Sequence, residues 1–87
     1  MFVTKRNGRV VVYDTKKIID SMLKANAETL EDLSEASASN IANTVFTRLT
    51  GEKDVITTED IRQCVFEVLN ENGLRQTAKH YMEYDGK

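Results

Sequence analysis

Residues 3–14 read VTKRNGRVVVYD, and this stretch decides how the chain begins to fold. Two segments rich in valine and aromatic residues, 2–6 and 9–13, flank the dipeptide Asn7-Gly8. Asn-Gly between two apolar segments is typical of a β-hairpin closed by a two-residue type I′ turn, in which both turn residues need a positive φ. The sequence therefore predicts a hairpin at the start of the chain.

The predicted register assigns the hairpin side chains to two faces, because neighbours along a strand point to opposite sides. A turn at residues 7 and 8 pairs Lys5 with Val10 and Val3 with Val12. These four side chains would share one face, and the other face would hold Phe2, Thr4, Val11 and Tyr13. A lysine on a face lined by valines is mildly anomalous.

The next two segments carry apolar residues at helical spacing. Asp14 or Thr15 is positioned to cap the first helix. Residues 26–36 are polar and acidic and are interpreted as a solvated loop. The second helix is predicted from about residue 37 to residue 50, where Gly51 is a natural stop.

The last third of the chain predicts a short strand and two more helices. Residues 55–57 could join the hairpin as a third strand, and Thr57 with Asp60 three residues later resembles a helix-capping signal. Gly73 suits the end of the third helix, and a fourth helix follows. The prediction is one α+β domain over residues 1–87, a four-helix bundle capped by a small two- or three-stranded β-sheet.

The charge is unevenly distributed along the chain, whose net charge is −2. Residues 1–24 hold six basic and two acidic groups, whereas residues 25–87 hold six basic and twelve acidic groups. Lys16 and Lys17 fall in the first turn of a helix, where the helix dipole disfavours cations. Either they form a solvated basic surface, or together with Lys5 they bind a polyanion.

Two residues near the start of the third helix also stand out. A helical wheel assigns Thr58 to the buried side, where it is either a cap or first-turn residue or a ligand contact. Arg62 falls on the apolar half of the helix, where it must extend its charge to solvent or meet a planar acceptor such as a purine or phosphate. Cys64 is interpreted as a small core residue.

The motifs of common enzymes are not found in the sequence. There is no P-loop, no GxGxxG, no HExxH and no pair of cysteines, which predicts a binding protein and not an enzyme. No apolar run approaches the roughly 18 residues of a membrane span and no signal peptide opens the chain, so we expect a cytoplasmic protein without membrane partners. The net negative charge argues against direct nucleic-acid binding.

Three segments in the correct order resemble the ATP-cone domain. The first, VTKRNGRVVVYDTKKI, is similar to the family pattern V-x-K-R-D-G-x-x-x-x-F-D-x-x-K-I. VITTEDIRQCVFEVL is similar to the middle segment of the family, and TAKHYMEY to its closing A-x-x-Y-x-x-Y. The resemblance spans approximately residues 2–84, and its last segment is most like the anaerobic, glycyl-radical class of ribonucleotide reductases.

The resemblance implies reversible binding of ATP or dATP as allosteric effectors of a ribonucleotide reductase, with Mg²⁺ held chiefly by the phosphates and water. The catalytic part of the reductase would be the partner, and the effector would change conformation or homo-oligomerisation. By position, Lys5 and Lys17 would hold phosphates, and Arg62 would lie near the base. The nucleotide would be lined by Val3, Arg6, Ile18 and Thr58. Val11 stands where some members carry an acidic residue.

Two other functions remain open from the sequence. The chain could be the ATP-cone part of a transcriptional repressor of reductase genes, in which case the zinc ribbon would lie elsewhere because Cys64 alone cannot form it. It could also be a protein-interaction domain that has kept the fold and lost the nucleotide.

Overall fold

The chain folds into three strands and four helices, as seen in a computed structural model that describes residues 2–5 and 7–85, the last two by their backbone alone. The elements in chain order are β1 (Phe2–Thr4), β2 (Val10–Val12), α1 (Thr15–Ala27), α2 (Glu35–Glu52), β3 (Ile56–Thr57), α3 (Thr58–Glu71) and α4 (Arg75–Asp85). In the sheet, β1 lies in the centre, antiparallel to β2 and parallel to β3. The α+β class, the four helices and the third strand agree with the prediction.

The hairpin register differs by one residue from the predicted one. Val3 pairs with Val11 and not with Val12. The Gly8 amide donates to the Lys5 carbonyl at 2.9 Å and the Lys5 amide donates to the Arg9 carbonyl at 2.7 Å, so the loop has three residues, 6–8. The predicted type I′ turn is therefore wrong.

The turn chemistry explains the longer loop. Among the described residues only glycines have a positive φ, and in this loop Gly8 alone does, at 84°. Asn7 instead uses its side chain, whose Oδ1 accepts a hydrogen bond from the Arg9 amide at 3.0 Å. A three-residue loop with glycine in the left-handed region is the second common way to close a hairpin.

The shifted register exchanges the faces of β2. A slip of one residue moves every side chain of a strand to the other face. Val11 and Tyr13 therefore lie on the inner face with Val3 and pack against the core, whereas Val10 and Val12 point outward and are exposed. Of the residues predicted to share a face with Lys5, Val3 is confirmed, whereas Val10 and Val12 were wrong and Val11 takes their place.

The core lies between the four helices. Among the described elements, α1 packs on α2 and α4, and α3 packs on the same two helices. The largest fully buried apolar side chains are Met22 of α1, Val45 of α2, and Val65 and Leu69 of α3. That the sheet caps one end of a four-helix bundle stays a prediction.

The helix ends follow local chemistry. Asp14 caps α1, and its Oδ1 accepts from the Lys17 amide at 3.2 Å. The Ser34 hydroxyl accepts from the Ser37 amide at 3.1 Å, which starts α2 two residues earlier than predicted. Gly51 does not end α2, which continues through Glu52. Gly73, with φ of 78°, follows α3 as predicted.

Glu31 fixes the start of α4 from the loop between α1 and α2, a loop that we expected to be only solvated. Its carboxylate accepts hydrogen bonds from the amides of Gln76 at 3.0 Å and Thr77 at 2.7 Å. The hydroxyl of the fully buried Thr77 donates to the same carboxylate at 2.8 Å, and Asn26 donates to that hydroxyl at 3.1 Å. The loop is thus tied to α1 and α4.

This network predicts how stability changes in acid. Partial burial raises the pKa of Glu31, but hydrogen bonds from Thr77 and Gln76 more than offset it and bring the pKa below the usual 4.5. A carboxyl with a lowered folded-state pKa stabilises the fold above its unfolded pKa and loses that contribution as pH falls through the folded value. We expect the free energy of unfolding to decrease as pH falls below 4.5.

Chemical denaturation between neutral and acidic pH checks this expectation in two variants. Glu31→Gln should be less stable than the unchanged chain at neutral pH and should lose less stability in acid. Asp32→Asn, an exposed residue of the same loop, is the matched control and should follow the unchanged chain. An acid dependence in Glu31→Gln as steep as that of the unchanged chain would contradict the role of Glu31.

Candidate functional site

A cavity of about 350 Å³ opens between the inner face of the hairpin, the first half of α1 and the start of α3. Its size falls in the range of small-molecule sites, roughly 300–1,000 Å³. The cavity is lined by Val3, Lys5, Val11, Tyr13, Asp14, Lys17, Ile18, Ser21, Thr58, Ile61 and Tyr81, and at its rim by Val12, whose side chain belongs to the exposed face of the sheet.

The cavity brings together five of the seven predicted site residues, which lie on three different elements or their ends. They are Val3, Lys5, Lys17, Ile18 and Thr58. Arg6 lies outside the described residues, and Arg62 does not line the cavity. That these residues bind a nucleotide stays a prediction.

One side of the cavity is cationic. Lys5 follows β1, and Lys17 lies in the first turn of α1, so the short connection from hairpin to helix brings both to one opening. The first turn of α1, all of it described, carries no acidic residue. Two ammonium groups and a helix N-terminus together favour an anion. The Asp14 carboxylate, which caps the helix, lies on the same lining.

The other side of the cavity is apolar. Val3, Ile18, Ile61 and Tyr81 are all buried, and they come from four different elements. Apolar side chains with a few polar groups among them suit the face of a ring. The lining therefore divides into a part for negative charge and a part for an apolar or aromatic group.

Sequence reasoning missed two of the lining residues that have hydrogen-bonding groups. Ser21 lies one helical turn beyond Lys17 and Ile18, and residues three and four apart share a helix face, so this spacing could have revealed it. Tyr81 was interpreted as a core residue, which its burial supports, and only the packing of α4 brings it to the cavity.

Arg62 makes a local ion pair. Its Nη2 donates to Glu59 Oε2 at 2.7 Å, three residues earlier on α3. The side chain is mostly buried, as expected for the apolar half of the helix, and Glu59 provides a planar carboxylate acceptor. Contact of Arg62 with a bound base stays a prediction.

Thr57, and not Thr58, caps α3. Its hydroxyl accepts from the Asp60 amide at 3.1 Å, and the Asp60 carboxylate accepts from the Thr57 amide at 2.9 Å, which completes a capping box. Thr58 is the first helical residue and is exposed, so its predicted position on the buried side is wrong. As the first residue of the helix, it lies at the mouth of the cavity.

The two neighbouring threonines give a matched pair of variants. Thr57→Ala should lower the free energy of unfolding by about 1 kcal/mol, the usual cost of losing an N-cap. Thr58→Ala should change it by less than about 0.5 kcal/mol, because the residue is exposed and is not the cap. Urea denaturation of both variants measures the difference, and equal losses would contradict this assignment.

Tyr13 connects the cavity to the middle of α2. Its hydroxyl donates to the Ala42 carbonyl at 3.1 Å, and its ring lies 5.5 Å from that of Phe46. Burial, with a smaller effect from Cys64, raises the pKa of Tyr13 to about 12. The wall of the cavity formed by Tyr13 is therefore fixed by packing and by a hydrogen bond.

A second hollow, of about 370 Å³, lies between α2 and α3, but its cations are paired. Arg48 donates to Glu71 at 2.8 Å, and Lys53 donates to Asp60 at 2.7 Å. Cys64 is buried at this hollow, and burial raises the pKa of its thiol. No cluster of metal ligands occurs within the described part of the chain. The first cavity is the better candidate for an anionic ligand.

A cavity with cations on one side and apolar walls on the other is suited to a phosphorylated small molecule. The sequence model of the ATP cone domain matches residues 1–87, and the chain belongs to this family. The match confirms the predicted membership. The family comprises nucleotide-binding allosteric regulatory domains. No curated protein matches the chain. None of the described helices is both long and apolar enough to cross a bilayer.

Proposed function

We propose that this chain binds ATP or dATP in the cavity beneath the hairpin and acts as the allosteric regulatory part of a ribonucleotide reductase. One observation carries the proposal: Lys5, Lys17 and the start of α1 meet at one opening whose other walls are apolar. The family supports adenine nucleotides as the class of ligand.

The phosphates bind at the cationic side in this proposal. A triphosphate carries about three to four negative charges, which two lysines and a helix N-terminus partly neutralise. Mg²⁺ accompanies the phosphates, since it keeps most of its water and takes few protein ligands. The acidic group of the lining is the Asp14 carboxylate, which caps α1 and is the side chain there that could hold Mg²⁺ directly or through water.

The nucleoside binds at the apolar side. Val3, Ile18 and Ile61 cover the faces of the base and ribose. ATP differs from dATP by one 2′-hydroxyl, and a site discriminates between them when it hydrogen-bonds that group. The hydroxyls of Ser21 and Thr58 are the groups in the lining suited to this task.

The role is regulatory and not catalytic. The reduction takes place in the catalytic part of the reductase, in the cytoplasm. Unequal affinity of the effector for two conformations, or for two oligomeric states, converts binding into regulation. Tyr13 supports such coupling, because it contacts both the cavity and α2.

Isothermal titration of the chain with ATP, dATP and GTP in the presence of Mg²⁺ tests the proposed ligand. We expect ATP and dATP to bind and GTP to bind more weakly. Absence of heat with all three nucleotides would instead favour an interaction domain that has lost its ligand.

Activity measurements on the reductase that carries or accompanies this domain test the proposed target. We expect dATP to inhibit the reductase and ATP to relieve the inhibition, and Lys17→Ala to abolish both responses while activity without effector is kept. If the reductase responds to dATP and ATP in the same way with the Lys17→Ala domain as with the unchanged domain, this target is excluded.

A further inference from the structure

Ser21 brings a hydroxyl group to the apolar side of the cavity beneath the hairpin. It lies on α1 and lines the cavity together with Lys17 and Ile18. Residues three and four apart share one face of a helix, so these three side chains form a row along α1. The row leads from a cation in the first turn, past a buried apolar side chain, to a half-buried hydroxyl.

The hydroxyl of Ser21 is available to a ligand in the cavity. Serine and threonine inside a helix often donate to the carbonyl four residues earlier. Two threonines of α2 do so, Thr44 to Asn40 at 3.0 Å and Thr50 to Phe46 at 2.8 Å. Within residues 2–5 and 7–83, whose side chains the structure describes, the Ser21 hydroxyl makes no hydrogen bond.

A half-buried hydroxyl of this kind makes a site selective. A ligand that supplies a partner forms a hydrogen bond with it. A ligand without that partner leaves the hydroxyl both dehydrated and unpaired, and the cost of dehydration is then added to the lost bond. For this reason a site that binds a substrate hydroxyl discriminates against analogues that lack it.

The position of Ser21 along α1 indicates which part of a nucleotide it meets. The helix rises about 1.5 Å per residue, so Ser21 lies roughly 6 Å beyond Lys17 along the axis. With the phosphates held by Lys5, Lys17 and the start of α1, the ribose is the first group beyond the phosphate chain. Ile18 and Ser21 are the next members of the row, and they face the sugar.

The other hydroxyls of the lining are less suited to this task. Thr58 is exposed at the mouth of the cavity, where water replaces a missing ligand group at little cost. Tyr13 donates its hydroxyl to the Ala42 carbonyl at 3.1 Å. Tyr81 is only 3% exposed and already takes part in another interaction. Ser21 is therefore the best placed of the four.

We propose that the Ser21 hydroxyl binds the 2′-hydroxyl of ATP and so contributes to the discrimination between ATP and dATP. This inference rests on the proposed binding of adenine nucleotides in the cavity, and it names the residue that reads the ribose. One hydrogen bond between neutral groups corresponds to about threefold to tenfold in affinity. Ser21 shifts by that factor the ratio of dATP to ATP at which one nucleotide replaces the other.

Isothermal titration of the unchanged chain and of Ser21→Ala with ATP, dATP and 3′-deoxy-ATP, each with Mg²⁺, tests the assignment. Ser21→Ala should bind ATP and 3′-deoxy-ATP about threefold to tenfold more weakly, because both carry the 2′-hydroxyl. Its affinity for dATP should stay within about twofold of that of the unchanged chain, since no bond to dATP is lost. Alanine is the best helix former, so α1 should be kept.

Ser39→Ala is the matched control. Ser39 is also a half-buried serine inside a helix, but it belongs to α2 and does not line the cavity. This variant should bind all three nucleotides with the affinities of the unchanged chain. A selective loss of ATP affinity in Ser21→Ala alone would support the proposal, because a general effect of removing a helical serine would appear in both variants.

Three results would overturn the proposal. Equal weakening of ATP and dATP in Ser21→Ala would mean that the hydroxyl contacts another part of the nucleotide or only shapes the cavity. An unchanged ratio of affinities in Ser21→Ala, together with a changed ratio in Thr58→Ala, would assign the ribose to Thr58. These two results leave the proposed function standing. Absence of binding of all three nucleotides to the unchanged chain would overturn both.

Discussion

The Lys5→Ala/Lys17→Ala double variant is expected to bind ATP about 100-fold more weakly than the unchanged chain, or not measurably. Each lysine supplies a charge-assisted contact to the phosphates, worth about 1–3 kcal/mol, and about 1.4 kcal/mol corresponds to a factor of ten. Both residues line the cavity from opposite sides of the hairpin–helix connection. Isothermal titration of the double variant and of each single variant measures the effect.

The fold should survive these substitutions. Lys17 lies in the first turn of α1, where a cation opposes the helix dipole, so alanine should leave the stability unchanged or raise it slightly. Lys24→Ala, in the last turn of the same helix and outside the cavity, is the matched control and should bind ATP normally. Equal affinity in the double variant and the control would remove both lysines from the site.

Met22→Ala is expected to lower the free energy of unfolding by about 2–5 kcal/mol, the usual cost of a large-to-small change in a core. Met22 is fully buried on α1, one turn beyond Ile18, and is among the largest side chains of the core. A chain of this length has a total stability of only about 4–13 kcal/mol, so the loss is a large part of it. ATP affinity should fall too, because Met22 lies one helical turn from Ile18, which forms a wall of the cavity.

Denaturation in urea compares Met22→Ala with Met22→Leu. Leucine keeps the volume and the apolar character of the side chain, and should cost less than about 1.5 kcal/mol. A loss below about 1 kcal/mol in Met22→Ala would mean that α1 is not anchored through Met22.

Features set by neighbouring residues were predictable from the sequence. The capping box of Thr57 and Asp60, the cap at Asp14 and the positive φ of Gly73 each depend on chemistry within four residues. The pairing of Glu59 with Arg62 is equally local and was missed, although a spacing of three on a helix is a known signal.

The hairpin register could not be predicted because Asn7-Gly8 fits two turn types. A type I′ turn and a three-residue loop ending in glycine both accept these residues, and they assign β2 to opposite faces. Only packing decides between them: in the observed register Val3, Val11 and Tyr13 share the face that packs on the core.

The remaining misses depend on contacts between distant parts of the chain. Glu31 accepts hydrogen bonds from the amides of Gln76 and Thr77, which lie 45 and 46 positions further along the chain, and no local pattern predicts such a pairing. Tyr81 reaches the cavity because α4 packs against α1 and α3. The cationic residues of the candidate site were found because they contradict local helix and strand preferences, whereas its apolar residues resemble ordinary core.

Titration of the ¹⁵N-labelled chain with ATP and Mg²⁺, followed by amide chemical shifts, tests most directly whether the cavity beneath the hairpin is the nucleotide site. We predict that the amides of Lys5, Lys17 and Thr58 shift most and saturate together, and that those of Leu30 and Asn43 do not move. The largest shifts around Arg48 and Lys53, or no shifts at saturating ATP, would contradict the account.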